Sequence, residues 1–301
     1  PLEEIFPPRT KPEGLALDVP IIHASNRALP KTKSSAKPRV LIPVFPGTNC
    51  EYESARAVEK AGAVADVLVL QTSCAAAIGE SLRAFTSRLD AAQALFLPGG
   101  FSNGDEPDGS GKFITAFLRN PMAADALMQL IDHRDGLVLG ICNGFQALIK
   151  LGLVPFGRIV EPAPELPTLT FNEIGRHQSR IVRTRVCSDA SPWLMLADAG
   201  NIYSVPISHG EGRFVCPQEL LRQLAASGQI AAQYVDDEGL PSMDVRFNPN
   251  GSFAALEALT SPDGRILGKM GHSERIGSGL YQNVPGNYDM RLFESMALYF
   301  S

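Results

Sequence analysis

The sequence predicts an α/β protein with a mostly parallel central sheet flanked by helices and an antiparallel extension. Three observations carry this. Between residues 39 and 151 short apolar runs alternate with helical stretches, the pattern of parallel strands covered on both faces. After Pro155 the texture changes to strand-like runs with few helices between them. The composition is that of an ordinary globular chain: 301 residues, 45% hydrophobic and 20% charged, with 27 glycines and 23 prolines to supply turns. It excludes a disordered chain and a coiled coil. A net charge of −5 argues against a general nucleic-acid binder. No apolar run is long enough for a membrane segment.

The elements follow in order. Residues 40–45 are an apolar run read as a buried strand. Pro46-Gly47-Thr48-Asn49 is a turn, and a helix follows over residues 51–61, stopped by Gly62. Residues 65–70 are a second strand, 80–89 a helix and 94–97 a third strand, stopped by Pro98-Gly99-Gly100. Residues 112–132 read as a long helix interrupted near Pro121. Residues 137–141 are a fourth strand and 143–151 the next helix. Strands are expected over 180–187, 202–207, 229–235, 252–256 and 266–270, and a last helix over 290–299.

Residues 1–38 differ from the rest, with Pro7-Pro8, Pro12, Pro20, Pro30 and Pro38 and a cluster of Lys31, Lys33 and Lys37. They read as a proline-rich linker or tail, and 39–301 as one domain. Five cysteines at irregular spacing are not a disulfide framework, and with no signal peptide a cytoplasmic location with reduced thiols is expected.

Gly140-Ile141-Cys142-Asn143-Gly144 carries the most chemistry. It is Gly-x-Cys-x-Gly between an apolar strand and a helix. The glycines permit a sharp turn that lifts the thiol above the sheet edge. At a helix N-terminus the thiolate is favoured, and the Asn143 N–H can face an oxyanion. Cys50, Cys74, Cys187 and Cys216 have no such flanks and are expected to be packing or surface residues. None forms a C-x-x-C pair, so no metal site is expected.

A thiolate needs a base. His23 lies in the tail, His133 follows a helix and His177 sits in a polar stretch. Two candidates remain, His209 and His272, each after an apolar run and each with Glu two residues on: Glu211 and Glu274. In extended chain such a pair shares one side, so the carboxylate can orient the ring. Spacing alone leaves both open. Gly99-Gly100 ends a strand and can turn bare N–H groups toward a ligand.

Together these pieces resemble the class I, triad-type glutamine amidotransferases. The order of Pro46-Gly47-Thr48-Asn49-Cys50-Glu51, Pro98-Gly99-Gly100-Phe101-Ser102, Cys142-Asn143-Gly144-Phe145-Gln146, His209-Gly210-Glu211-Gly212-Arg213, Asn248-Pro249-Asn250-Gly251-Ser252 and His272-Ser273-Glu274-Arg275 is similar to that in the glutaminase part of phosphoribosylformylglycinamidine synthase. The segment 104–112 looks like the variant in the C-terminal part of some large single-chain bacterial forms. The resemblance implies a flavodoxin-like fold and a triad of Cys142, His272 and Glu274. It implies an oxyanion hole at Gly100 and Asn143, and glutamine contacts from Gly99, Phe101, Gln146 and Asn172. It leaves His209 and Glu211 as accessory residues near the site.

The implied activity is hydrolysis of L-glutamine to glutamate and ammonia, with no cofactor in this chain. ATP and Mg would belong to a synthetase partner, fused upstream or separate, that makes formylglycinamidine ribonucleotide in purine synthesis. Neither a nucleic acid nor a membrane is an expected partner. A glutaminase serving another synthase, and a relative that has lost the chemistry, are the alternatives. There are three departures: Gly271 and Ser273 flank His272 where the family usually carries Pro, and Asn172-Glu173-Ile174-Gly175-Arg176-His177-Gln178 stands where it often shows Asn-x-Ser-x-Arg-Phe-Glu.

Overall fold

The computed structural model describes residues 17–23, 36–102 and 110–301. Most of the expected linker, and most of the 104–112 segment, lie outside the described residues. The sheet has nine strands in the order β2-β1-β3-β4-β11-β10-β9-β6-β7. β1 (Arg39–Val44), β2 (Val64–Val69), β3 (Ala94–Leu97), β4 (Leu137–Ile141) and β11 (Ile266–Lys269) pair in parallel. β10 (Leu256–Thr260), β9 (Ile230–Tyr234), β6 (Gln178–Val186) and β7 (Ile202–His209) continue it antiparallel. The second half of the chain thus extends the same sheet, and its last strand inserts between the parallel and antiparallel parts.

β3 and β4 are buried throughout, as near-continuous apolar runs covered on both faces must be. Helices α1 (Glu51–Lys60), α2 (Ala75–Ala91), α3 (Lys112–Leu118), α4 (Pro121–His133) and α5 (Asn143–Leu151) connect or cover them. The long helix expected over 112–132 is two helices, because Asn120 caps a new one through its side chain to the Met122 N–H, with Pro121 at the first position. α5 is the central helix. All of its residues except Lys150 are buried, and Phe145 occupies the space that a side chain at Gly268 of β11 would fill.

Several further elements differ from the expectation. The strand expected at 252–256 starts at Leu256, after a short 3-10 turn at Phe253–Ala255. Helix α6 (Gln218–Ala226) was not anticipated, although Leu221, Leu224 and Ala225 form its buried stripe. A separate two-stranded sheet pairs β5 (Thr168–Phe171) with β8 (Glu211–Val215). The last helix is α7 (Leu292–Tyr299).

Part of the proline-rich segment packs on the sheet. Val19 is buried, Ile22 bridges Ser188, and the Ile22 N–H donates to the Cys187 carbonyl at 2.8 Å. The buried Gln233 of β9 donates its amide to the Leu17 carbonyl at 2.8 Å, so this stretch satisfies a polar group of the sheet. Among the described residues no helix is long and apolar enough to cross a membrane.

Candidate active site

The carboxyl ends of β1, β3, β4 and β11 form one edge, where ligands of open parallel sheets bind. Cys142 stands there between β4 and α5 with φ 52° and ψ −105°. Such a conformation costs about 1–3 kcal/mol for a residue with a side chain and persists only where the surroundings impose it. They do so here. A side chain on Gly144 would run into the Leu97 carbonyl, and one on Gly140 would lie 2.7 Å from the Gly144 carbonyl carbon. The Cys142 N–H donates to the Lys269 carbonyl at 2.8 Å, tying the elbow to β11. The thiol is buried and directs its hydrogen to the Ser208 carbonyl at 3.6 Å.

His272 follows β11. Its Nδ1 is 2.6 Å from Glu274 Oε1, and both side chains are buried. Nδ1–H therefore donates to the carboxylate, and Nε2, which has no hydrogen-bond partner among the described residues, is the free basic nitrogen. Burial works against a charged ring, but the Glu274 carboxylate and the thiols of Cys142 and Cys50 outweigh it and hold the imidazole pKa well above its ordinary value.

The other candidate pair is arranged differently. Glu211 turns away from His209 after the bend at Gly210, and its Oε2 accepts from the Ser110 N–H at 2.8 Å. His209 Nδ1 is 3.1 Å from Asn172 Oδ1, which also accepts from the Gly212 N–H at 3.2 Å. Nδ1 must then carry the hydrogen. Burial, with the charges of His272 and His177 adding to it, pushes the His209 pKa down to about 3, so the ring stays neutral. An unfolded histidine takes a proton below about 6.5, and this one does not. Its contribution to stability is full above that value and is lost as pH falls toward 3. His209→Gln is expected to flatten the loss of melting temperature between pH 6.5 and 4 relative to the parent.

The Gly-Gly turn brings the pieces together. A Cβ on Gly99 would sit 2.7 Å from His272 Cε1, 3.3 Å from Cys50 Sγ and 3.5 Å from Cys142 Cβ. Gly99→Ala, whose backbone alanine tolerates, is expected to displace the imidazole. It should lower turnover by about 10- to 100-fold with little change in melting temperature, which steady-state assay and thermal melting check together. Gly100 has φ +144°, and a Cβ there would lie 2.6 Å from the Gly47 carbonyl oxygen. Only glycine lets this strand end lie against Thr48, which it bridges.

Cys50, expected to be a packing or surface residue, is buried and lies beside His272. It is buried at the start of α1, with Sγ 3.8 Å from His272 Nδ1 and 3.1 Å from Asn49 Oδ1. Burial pushes its thiol pKa up, so it sits beside the imidazole as a neutral thiol. No local pattern marked it, because its partner is 222 positions away. Cys50 Sγ, His272 Nδ1 and Glu274 lie within 4.8 Å of one another, a set of metal donors in kind, but Nδ1 and Oε1 already share a hydrogen.

Gln146 and Asn172 are committed within the protein. The Gln146 amide donates to the Glu211 carbonyl and accepts from Asn143 Nδ2 at 2.9 Å. Asn172 donates to the His209 and Arg176 carbonyls at 2.8 and 3.0 Å. Gln146 ties the 209–212 segment to α5, and Asn172 ties it to the end of β5. Phe101 is 44% exposed beside the edge, with its ring centroid 6.2 Å from that of His177.

A mostly parallel sheet carrying a strained cysteine elbow at its carboxyl edge is the arrangement of a class I glutamine amidotransferase. The family model of the CobB/CobQ-like glutamine amidotransferase domain matches residues 37–300, and the chain belongs to that family. Within it the chain is similar to the phosphoribosylformylglycinamidine synthase subunit PurQ of Methanococcus maripaludis strain S2. The two are 33% identical over 255 residues, which is 84% of this chain and 87% of that protein. The same subunit from strain C5 is also 33% identical, over 84% of this chain and 88% of its own length. Among solved structures, PurLQS from Thermotoga maritima superimposes with a TM-score of 0.64 at 25% identity, covering 88% of this chain and all of that one. The chain is thus a glutaminase domain of the phosphoribosylformylglycinamidine synthase type.

Proposed function

We propose that this chain hydrolyses L-glutamine through Cys142, His272 and Glu274. The ammonia would serve ATP-dependent conversion of formylglycinamide ribonucleotide to the amidine in purine synthesis. One observation carries the catalytic assignment: of the two His–Glu pairs, only His272 and Glu274 share a hydrogen bond, at 2.6 Å, with Nε2 left free. The reading follows the names of the relatives for the product and the residues for the chemistry.

The raised basicity of His272 draws the Cys142 proton onto Nε2, giving a thiolate–imidazolium pair, and Sγ attacks the side-chain amide carbon of glutamine. The carboxylate of Glu274 stabilises the imidazolium that results. The tetrahedral oxyanion sits between the N–H groups of Gly100 and Asn143, the latter at the positive end of α5. His272 returns the proton to the departing ammonia, leaving a glutamyl thioester. Water, deprotonated by His272, hydrolyses the thioester to glutamate and restores the thiol. The steps use these side chains, two backbone N–H groups and a water, with ATP and Mg assigned to the synthetase partner and the chain to the cytoplasm.

A diazoketone analogue of glutamine tests the reading. It is expected to leave one adduct on Cys142 and none on Cys50, and the gene is expected to restore growth to a purine auxotroph lacking the glutaminase. An unlabelled Cys142, with no ammonia formed in the presence of the synthetase, would overturn it.

A further inference from the structure

Beside His272 lies a buried ion pair that the proposed chemistry does not touch. Glu257 of β10 and Lys269 at the end of β11 are 0% and 1% exposed, with Nζ 3.1 Å from Oε1. Two charges in such a place are poor stabilisers, since removing each from water costs several kcal/mol. Glu257 Oε2 has no hydrogen-bond partner among the described residues, so that penalty is only partly offset.

The remaining contacts of the pair converge on one residue. Glu257 Oε1 accepts from the Gly271 N–H at 2.8 Å, and Lys269 Nζ donates to the Gly271 carbonyl at 2.9 Å. The pair therefore grips two successive peptides, the second of which leads into His272. Around them the main chain is tied on every side. The Met270 N–H donates to the Glu257 carbonyl at 3.1 Å, and the His272 N–H to the Pro206 carbonyl at 2.8 Å. The Lys269 carbonyl holds the Cys142 N–H at 2.8 Å. Gly271 has no side chain of its own to restrain it, and there is no room for one. A Cβ would overlap Val205 and lie 2.9 Å from Glu257 Oε1 and 3.1 Å from Lys269 Nζ.

We propose that Glu257 and Lys269 are positioning residues, a charged clamp on the Gly271 peptides that sets the His272 imidazole relative to Cys142. The inference rests on His272 being the base. An ion pair suits the task because its two ends satisfy an N–H and a C=O at once and in one geometry, which no apolar pair can do.

The test compares glutamine turnover, melting temperature and the rate of Cys142 alkylation by chloroacetamide in the full chain and two double variants. Glu257→Leu/Lys269→Met replaces the ions by apolar groups and is expected to melt no lower than the parent. Its kcat should fall by about tenfold or more with the glutamine KM within about twofold, and alkylation should slow in parallel. Parent-level kcat and alkylation would overturn the proposal, as would a raised KM with kcat held. Glu257→Gln/Lys269→Met keeps an acceptor for the Gly271 N–H and removes the donor to its carbonyl. It carries the test if the first variant does not fold, with kcat expected to fall about three- to tenfold and an unchanged kcat overturning the clamp. A parent that hydrolyses no glutamine with the synthetase present would defeat the proposed function instead, and the alkylation rates would then decide the clamp by themselves.

Discussion

Cys142→Ser is expected to lower glutamine hydrolysis by about 10⁴-fold or more while leaving the fold intact. The substitution exchanges sulfur for oxygen at a buried position whose backbone, φ 52°, is imposed by Gly140, Gly144 and the bond to the Lys269 carbonyl. Nothing in the packing asks for sulfur, because the thiol's own contact is a 3.6 Å approach to the Ser208 carbonyl. What is lost is the nucleophile. A thiol is partly ionised near neutral pH and intrinsically reactive, whereas a hydroxyl depends wholly on its base. Ammonia release, measured with the synthetase present, reads the loss, and thermal melting confirms the fold. Full activity in the serine variant would sink the mechanism. Cys50 does not stand in, since burial keeps its thiol protonated.

Glu274→Gln is the second large effect, a fall in turnover of about 10³-fold. The amide cannot stabilise an imidazolium as the carboxylate does. It can also turn its NH₂ toward Nδ1, which would put the hydrogen on Nε2, the nitrogen that must act as the base. The same change alters the pH dependence of stability, with a sign that can be worked out. The His272 pKa is raised well above 6.5 in the folded chain. The folded state therefore keeps a proton that the unfolded state releases as pH passes 6.5. That contribution is full below 6.5 and disappears as pH rises through the raised value. In the parent, the melting temperature should fall more steeply on the alkaline side than in Glu274→Gln. Equal slopes would mean that Glu274 does not hold the imidazolium.

Much of the site is written locally. Gly-x-Cys-x-Gly after an apolar strand is a complete instruction for the elbow, because the glycines, the strand and the helix are neighbours in sequence. Gly99-Gly100 at the end of β3 is legible for the same reason. Helix α6 could also have been found, from the 3.6 period of Leu221, Leu224 and Ala225 after Pro217. The two-stranded β5–β8 sheet carried no comparable signal, since its strands are short and pair across some forty residues of chain.

Sequence by itself determined the alternation of strands and helices, the cysteine elbow and two candidate His–Glu pairs. It could not choose between the pairs, because the rule that i and i+2 share a side holds only in extended chain. At Gly210 the bend sends Glu211 to Ser110, while the turn after β11 folds Glu274 back onto His272. Only the tertiary structure showed which pair shares a hydrogen bond, and only it brought Cys50 and the Glu257–Lys269 pair beside His272. The physical reason is the parallel register of β1, β3, β4 and β11. It gathers strand ends from positions 44 to 269 onto one edge, where residues far apart in the chain meet within a few ångströms.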